Sequence, residues 1–190
     1  MHYKSIVYVL GYVLMIIGVL MLLPVVTGLI YGEYFCTLIF LAVGAGSALV
    51  GFLLTRLKVR FSVFTAKDGY VSVALGWLLI SAVGALPFTL SGEIPFYLDA
   101  LFEIVSGFTT TGSSILSDVE ALSNSMLIWR SFSHWIGGMG VLVFILIIMP
   151  MADSGSSFSL MQAESPGPVV SKLVPQLRAS ARQLYGIYLG

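Results

Sequence analysis

The chain has 190 residues, of which 58% are hydrophobic and only 9% are charged, and its formal net charge is zero. A soluble domain carries about 25% charged residues, so this composition excludes an ordinary soluble protein and indicates a membrane protein. Zero net charge gives no electrostatic reason to expect nucleic-acid binding. The single cysteine, Cys36, excludes an internal disulfide and provides no zinc-binding pattern.

Four long apolar segments predict membrane-spanning helices, because each supplies the roughly 20 residues that cross a bilayer. In chain order they cover residues 5–30, 34–55, 69–90 and 125–149. A fifth helix is predicted to begin after Pro175, since residues 176–190 are polar first and apolar later, as in a helix entering the membrane from water. We therefore expect the chain to be part of a longer protein.

The distribution of basic residues predicts the orientation in the membrane. In this arrangement eight of the nine Lys and Arg residues lie on one side, which the positive-inside rule assigns to the cytoplasm together with the N-terminus. Most acidic residues lie on the opposite side. Among them, we interpret Glu33 and Glu93 as solvated loop residues rather than parts of a cation-attracting vestibule.

The segment between the third and fourth helices predicts a pore loop. Residues 96–108 are apolar at helical spacing, and about 12 helical residues span about 18 Å, only half of the bilayer. The next six residues, 109–114, are rich in Thr, Ser and Gly and can return in an extended form over about 20 Å. Irregular backbone at membrane depth survives only when it is buried or lines an aqueous cavity. Backbone carbonyls in such a loop can replace the water around a cation, so the loop is typical of a selectivity filter.

Several motifs resemble the bacterial TrkH branch of the Trk/Ktr/HKT superfamily of potassium transporters. They are Phe-Glu-Ile-Val-Ser-Gly-Phe-Thr-Thr-Thr-Gly at 102–112, Val-Gly-Ala-Leu-Pro-Phe at 83–88, Trp-Ile-Gly-Gly-Met-Gly at 135–140 and Glu-Ser-Pro-Gly-Pro at 164–168. The resemblance covers nearly the whole chain.

The resemblance implies an all-α polytopic membrane protein with no enzymatic activity and no bound cofactor. Residues 1–60 would form an N-terminal transmembrane helix pair, 61–152 the first helix–pore loop–helix repeat, and 153–190 a cytoplasmic linker with the start of a second repeat. Four repeats in one chain would surround a potassium-channel-like pore in the bacterial inner membrane and take up K+. The family also implies a homodimer and a cytosolic nucleotide-binding regulatory subunit of the TrkA type.

Mapping the loop onto a potassium-channel filter places Gly112 at the first glycine of that filter. The potassium ligands are then the carbonyls of Thr110, Thr111, Gly112 and Ser113, with K+ held at Thr110 and Thr111. Some sodium-selective plant relatives have Ser at the position of Gly112, so the resemblance implies a potassium-type repeat.

Arg130 is the one basic residue inside an apolar segment, and we expect it to pair with Glu103 or Asp99 on the pore helix and to support the filter, although snorkelling to the outer surface remains open. His134, four residues beyond, is predicted to be a hydrogen-bonded packing residue. The glycines from Gly137 to Gly140 and the small residues 44–51 predict close helix packing.

Two alternatives remain. The chain could be one subunit of a homotetrameric two-helix potassium channel, or an intramembrane enzyme or accessory subunit that uses Asp99, Glu103 and His134. Three more glycine-bearing pore loops beyond Gly190 would favour the four-repeat transporter, whereas a stop codon there would favour the alternatives.

Overall fold

The computed structural model describes residues 3–56 and 66–140, and every regular element in these ranges is an α-helix. Three stretches are long and apolar enough to cross a membrane: Tyr3–Tyr31, Tyr34–Thr55 and Val71–Ser91. The helices are α1 (Tyr3–Leu20), α2 (Leu22–Tyr31), α3 (Tyr34–Thr55), α4 (Ala66–Ser91), α5 (Tyr97–Phe108) and α6 (Asn124–Met139).

The first predicted helix is divided at Met21 into α1 and α2. Met21 keeps right-handed helical angles, and its N–H donates to the Ile17 carbonyl at 3.0 Å, so the chain continues in the same spanning stretch. Pro24 lies in the first turn of α2, where a missing N–H is tolerated. The fourth predicted helix agrees with α6 as far as Met139, while its remainder, the linker and the fifth predicted helix lie outside the described residues.

Small residues allow α1 and α3 to pack with their backbones in close contact. A Cβ atom on Gly18 would lie 2.6 Å from the Gly44 carbonyl oxygen, and one on Gly11 would lie 2.9 Å from the Gly51 carbonyl oxygen. Both distances are shorter than real Cβ contacts, so these positions require glycine. The predicted packing role of the small-residue face on α3 is confirmed.

One apolar core joins α1 and α3 to α4, α5 and α6. Trp129 of α6 is completely buried, its ring lies edge-on to Phe40 of α3, and its indole N–H donates to the Gly84 carbonyl of α4 at 3.0 Å. Around it lie the buried side chains of Phe88, Ile104 and Phe108. This core therefore fixes α6 and α5, the predicted pore helix, relative to α3 and α4.

Candidate functional site

The pore helix α5 has 12 residues and begins one residue later than predicted. Phe96, just before it, is extended, with φ −85° and ψ 121°. One face of α5 is buried against its neighbours through Ala100, Ile104 and Phe108. After Thr109 and a turn the chain leaves the helix, so the predicted order of half-helix and irregular segment is present in the structure.

The C-terminal end of α5 lies directly against α6. A Cβ atom on Gly137 would collide with the carbonyl of Phe108, and one on Gly107 would collide with the Ser133 side chain. The Nδ1 atom of His134 lies 2.9 Å from the Arg130 carbonyl oxygen, as expected of a hydrogen-bonded packing residue. Glycine at 107 and 137 thus sets how closely the two helices approach.

We call residues 109–114 the filter segment. Its first three N–H groups turn back to the end of α5: Thr109 donates to Val105, Thr110 to Gly107 and Thr111 to Ser106, each at 2.9 Å. Within the described part of the chain, the carbonyls of Thr110, Thr111 and Gly112 accept no hydrogen bond. The three residues are also exposed.

Two residues of the filter segment have left-handed backbone angles, Thr110 with φ 55° and Gly112 with φ 76°. Glycine adopts this conformation without steric cost, whereas a β-branched residue does so at a cost of order 1–3 kcal/mol. Thr110 is held in this conformation by the hydrogen bonds of its neighbours to α5 and by the contact between the Thr109 and Thr111 hydroxyls, at 2.8 Å.

Ser113 differs from the other three predicted ligands. Its carbonyl accepts a hydrogen bond of 2.6 Å from the hydroxyl of Ser106, a buried residue of α5. One acceptor site of this oxygen is therefore already occupied from the α5 side. Ser106 was not singled out from the sequence, since a Ser in a small-residue motif carries no local sign of such a role.

Glu103 of α5 ties the end of the filter segment to α6. Its side chain is fully buried, and its carboxylate accepts hydrogen bonds from the Ser114 hydroxyl and the Ile115 N–H at 3.0 Å and from Arg130 Nε at 2.5 Å. In the described ranges Arg130 pairs with Glu103 and not with Asp99, the other expected partner. The ion pair is thus present, and that it supports the filter in function stays a prediction.

Two further carboxylates hold the start of α6. Glu33, in the turn between α2 and α3, accepts hydrogen bonds from the N–H and Nδ2 of Asn124 at 2.8 and 2.9 Å, and from the N–H and hydroxyl of Ser125 at 2.9 and 2.5 Å. Glu93, between α4 and α5, accepts from the N–H and hydroxyl of Ser123 at 2.9 and 2.7 Å.

Our interpretation of Glu33 and Glu93 as solvated loop residues is correct for their place in half-exposed loops, but it missed their hydrogen bonds to the start of α6. The first N–H groups of a helix have no acceptor within it, and carboxylates there also complement the helix dipole. Burial alone would raise the pKa of Glu33, but the hydrogen bonds from Ser125 and Asn124 outweigh it and hold the pKa below its ordinary value of 4.5. Glu33 therefore stays ionised at neutral pH, as a strong acceptor must.

Comparison with known proteins assigns the family. The family model described as TrkH, cation transport protein, matches residues 38–190. The chain belongs to this family. It is 33% identical to the Trk system potassium uptake protein TrkG of Escherichia coli (strain K12), over 98% of this chain and 39% of that protein. It is also 33% identical to the TrkH protein of Vibrio parahaemolyticus, over 100% of this chain and 39% of that protein.

A solved structure supports the same assignment. The crystal structure of the potassium transporter TrkH from Vibrio parahaemolyticus matches with a TM-score of 0.75 and 27% identity, over 100% of this chain and 37% of that chain. The predicted all-α membrane fold of the TrkH type is confirmed. The chain spans about two fifths of the length of these relatives.

In this TrkH-family chain, the face of α5 beside the filter segment is uncovered. Leu98 is 75% exposed and Phe102 is 49% exposed. Phe102 follows Leu98 by four residues and Val105 follows Phe102 by three, so the three side chains lie on the same side of the helix. In the described ranges an exposed apolar face of α5 therefore lies beside carbonyls that have no protein donor.

Proposed function

We propose that this chain forms the first of four helix–pore loop–helix units in a potassium uptake protein. The carbonyls of Thr110, Thr111, Gly112 and Ser113 would coordinate K+, with the ion held chiefly at Thr110 and Thr111. The observation that carries the proposal is the filter segment itself, whose carbonyls at 110–112 have no protein donor in the described residues and whose backbone is left-handed at Thr110 and Gly112. The names of the relatives, potassium uptake proteins, support K+ as the ion.

The chemistry follows from the ligands that a potassium ion needs. Leaving water costs the ion its hydration shell, and a ring of carbonyl oxygens from several pore loops replaces it. The C-terminal end of α5 points its partial negative charge toward the filter segment, which favours a cation at this place. Neither step requires a catalytic group.

The exposed apolar face of α5 supports several units around one axis. Leu98, Phe102 and Val105 would be covered by neighbouring pore loops, and the free carbonyls of each loop would face the common axis. The alternative of a homotetrameric two-helix channel is not favoured, since relatives of this chain are about two and a half times longer, with 39% of their length matched here.

The remaining parts of the proposal come from the family resemblance. Residues 1–60 would be the N-terminal helix pair, 61–152 the first unit, and 153–190 the cytoplasmic linker and the start of the second unit. The N-terminus would lie in the cytoplasm of a bacterium, with the protein in the inner membrane. A homodimer and a TrkA-like nucleotide-binding subunit would complete the assembly.

The test is Gly112→Ser, compared with Gly92→Ser, in the complete gene product. Both glycines have positive φ, 76° and 81°, and at neither would a Cβ meet another atom within 4 Å. The two substitutions therefore impose similar backbone strain, of about 1–2 kcal/mol, but only one lies in the filter segment. Gly112→Ser should lower the ratio of potassium to sodium uptake by about tenfold, corresponding to about 1.4 kcal/mol, and Gly92→Ser should not.

Uptake of both ions would be measured in cells lacking their own potassium importers, with the amount of protein in the membrane determined in parallel. An unchanged ion ratio in Gly112→Ser at normal protein levels would contradict the proposed ion site. Equal changes in both variants would assign the effect to general strain rather than to the filter.

A further inference from the structure

The start of α6 is held from outside the pore loop. Glu33 comes from the N-terminal helix pair and contacts residues 91 and 92 positions later in the chain, while Glu93 comes from the turn before α5. We call these two carboxylates the outer clasp. Together they accept hydrogen bonds from the backbone N–H groups of three consecutive residues, Ser123, Asn124 and Ser125.

A continuous path leads from the outer clasp to the filter segment. Arg130 follows Ser125 by five residues of the same helix, a rise of about 7.5 Å. Its Nε donates to Glu103, and Glu103 accepts the Ile115 N–H just beyond the filter segment. In the described chain neither clasp carboxylate has a hydrogen bond to residues 109–114, so any influence on them is indirect, along α6 or along the connection from Ile115 to Ser123.

The connection from Ile115 to Ser123 is therefore anchored at both ends by carboxylates. Glu103 fixes its beginning, and Glu93 fixes its end. Hydrogen bonds to ionised acceptors are about twice as strong as neutral ones and fix direction as well as distance. A helix end held by two of them has a defined height and rotation.

We propose that the outer clasp is a positioning element through which the N-terminal helix pair sets the placement of α6, and thereby of the Arg130–Glu103 pair and the end of the filter segment. The inference rests on the proposed function, because it assigns to Glu33 and Glu93 an effect on ion selection. Both are positioning residues, and neither touches the transported ion.

The experiment compares Glu33→Gln with Glu120→Gln in the complete gene product. Gln at 33 keeps the shape of Glu but replaces one acceptor oxygen by a donor, which must face the donors of either Asn124 or Ser125. Glu120 is an exposed acid of the same outer connection and has no role in the clasp. Amide hydrogen exchange is followed by mass spectrometry on overlapping peptides, and potassium and sodium uptake are measured in parallel.

In Glu33→Gln the amides of Asn124 and Ser125 should exchange about tenfold faster, the factor that corresponds to about 1.4 kcal/mol. The proposal adds that the distant amide of Ile115 also exchanges faster and that the ratio of potassium to sodium uptake falls. Glu120→Gln should change none of these quantities.

Faster exchange confined to Asn124 and Ser125, with an unchanged ion ratio, would overturn the proposal and leave Glu33 as a local helix cap. If Glu33→Gln does not reach the membrane, Ser125→Ala removes one donor to Glu33 and decides by the same two measurements. If the unmodified protein takes up no potassium, the proposed function fails, while exchange at Ile115 still decides whether the clasp positions the loop.

Discussion

Two substitutions of Arg130 separate its charge from its hydrogen bond to Glu103. The contact is made by Nε, the fourth atom of the side chain, at 2.5 Å from Glu103 Oε1. Gln carries an N–H donor at the same position along the side chain, and Met carries a methyl group there. Arg130→Gln therefore removes the charge and can keep the hydrogen bond, whereas Arg130→Met removes both.

The expected loss of stability in these variants follows from the burial of the Arg130–Glu103 pair. The Glu103 side chain is 0% exposed and that of Arg130 is 16% exposed, so loss of the arginine leaves a buried carboxylate without its counter-charge. Removing one partner of a buried pair costs about 3–5 kcal/mol. Because Ser114 and Ile115 still donate to Glu103, we expect Arg130→Met to cost about 3 kcal/mol. A hydrogen bond to a charged group contributes about 1.5–3 kcal/mol, so Arg130→Gln should lose about half as much or less.

Thermal stability of the purified protein would be measured as the fraction that stays monodisperse after heating, together with the amount in the membrane and potassium uptake. The matched control is Arg56→Met, since Arg56 is exposed and its guanidinium lies 4.6 Å from the centre of the Phe52 ring, a contact worth about 0.5–1 kcal/mol. We expect the wild type to be the most stable, Arg130→Gln to be less stable and Arg130→Met to be the least stable. Wild-type stability and uptake in Arg130→Met would refute the reasoning, and equal losses in Met and Gln would show that the hydrogen bond contributes nothing.

Two further substitutions test the back of the filter segment. Ser106→Ala removes the hydroxyl that donates to the Ser113 carbonyl and should change the ratio of potassium to sodium uptake at normal protein levels; an unchanged ratio would mean that the direction of this carbonyl is irrelevant to ion choice. Gly137→Ala should destabilise the protein by about 1–3 kcal/mol and lower its yield, because the new Cβ collides with the backbone at the end of α5. Gly46→Ala meets no atom within 4 Å and should give wild-type yield, and equal yields in both variants would argue against close packing of α5 on α6.

The sequence predicted the helices well where an apolar run is bounded by charged or turn-forming residues. The bounds of α3 were predicted to the residue, and those of α5 to within one. Burial in a membrane makes hydropathy almost sufficient for this purpose, since each spanning helix satisfies its own backbone. The break at Met21 was missed because the apolar run continues through it, and Pro24, the one local signal of a helix start, was not used.

The sequence narrowed the candidate partners of Arg130 to two acids but could not decide between them. A charge within an apolar helix requires a counter-charge, which pointed to the acids of the pore helix. Glu103 and Asp99 are four residues apart on one helix face, so spacing alone could not separate them. The structure separates them by depth, since Glu103 is fully buried, whereas Asp99 is only half-buried.

The carboxylates that accept hydrogen bonds from the start of α6 could not be predicted from the sequence, for a different reason. Ser123, Asn124 and Ser125 are typical residues for the start of a helix, and such residues often supply their own cap. Ser123 makes no side-chain cap of this kind, and the acceptors come from Glu33 and Glu93 instead. Nothing in the local sequence of either glutamate indicates a helix end up to 92 residues away.

The left-handed Thr110 could not have been predicted either, because local propensity opposes it. The hydrogen bonds made by the loop explain why Thr110 adopts this conformation. The N–H groups of 109–111 are taken by α5, and the Ile115 N–H is taken by Glu103, while the carbonyls of 110–112 are left without a donor in the described chain. The conformation of Thr110 costs about 1–3 kcal/mol, and the hydrogen bonds of Thr109 and Thr111 to the end of α5 hold it in place.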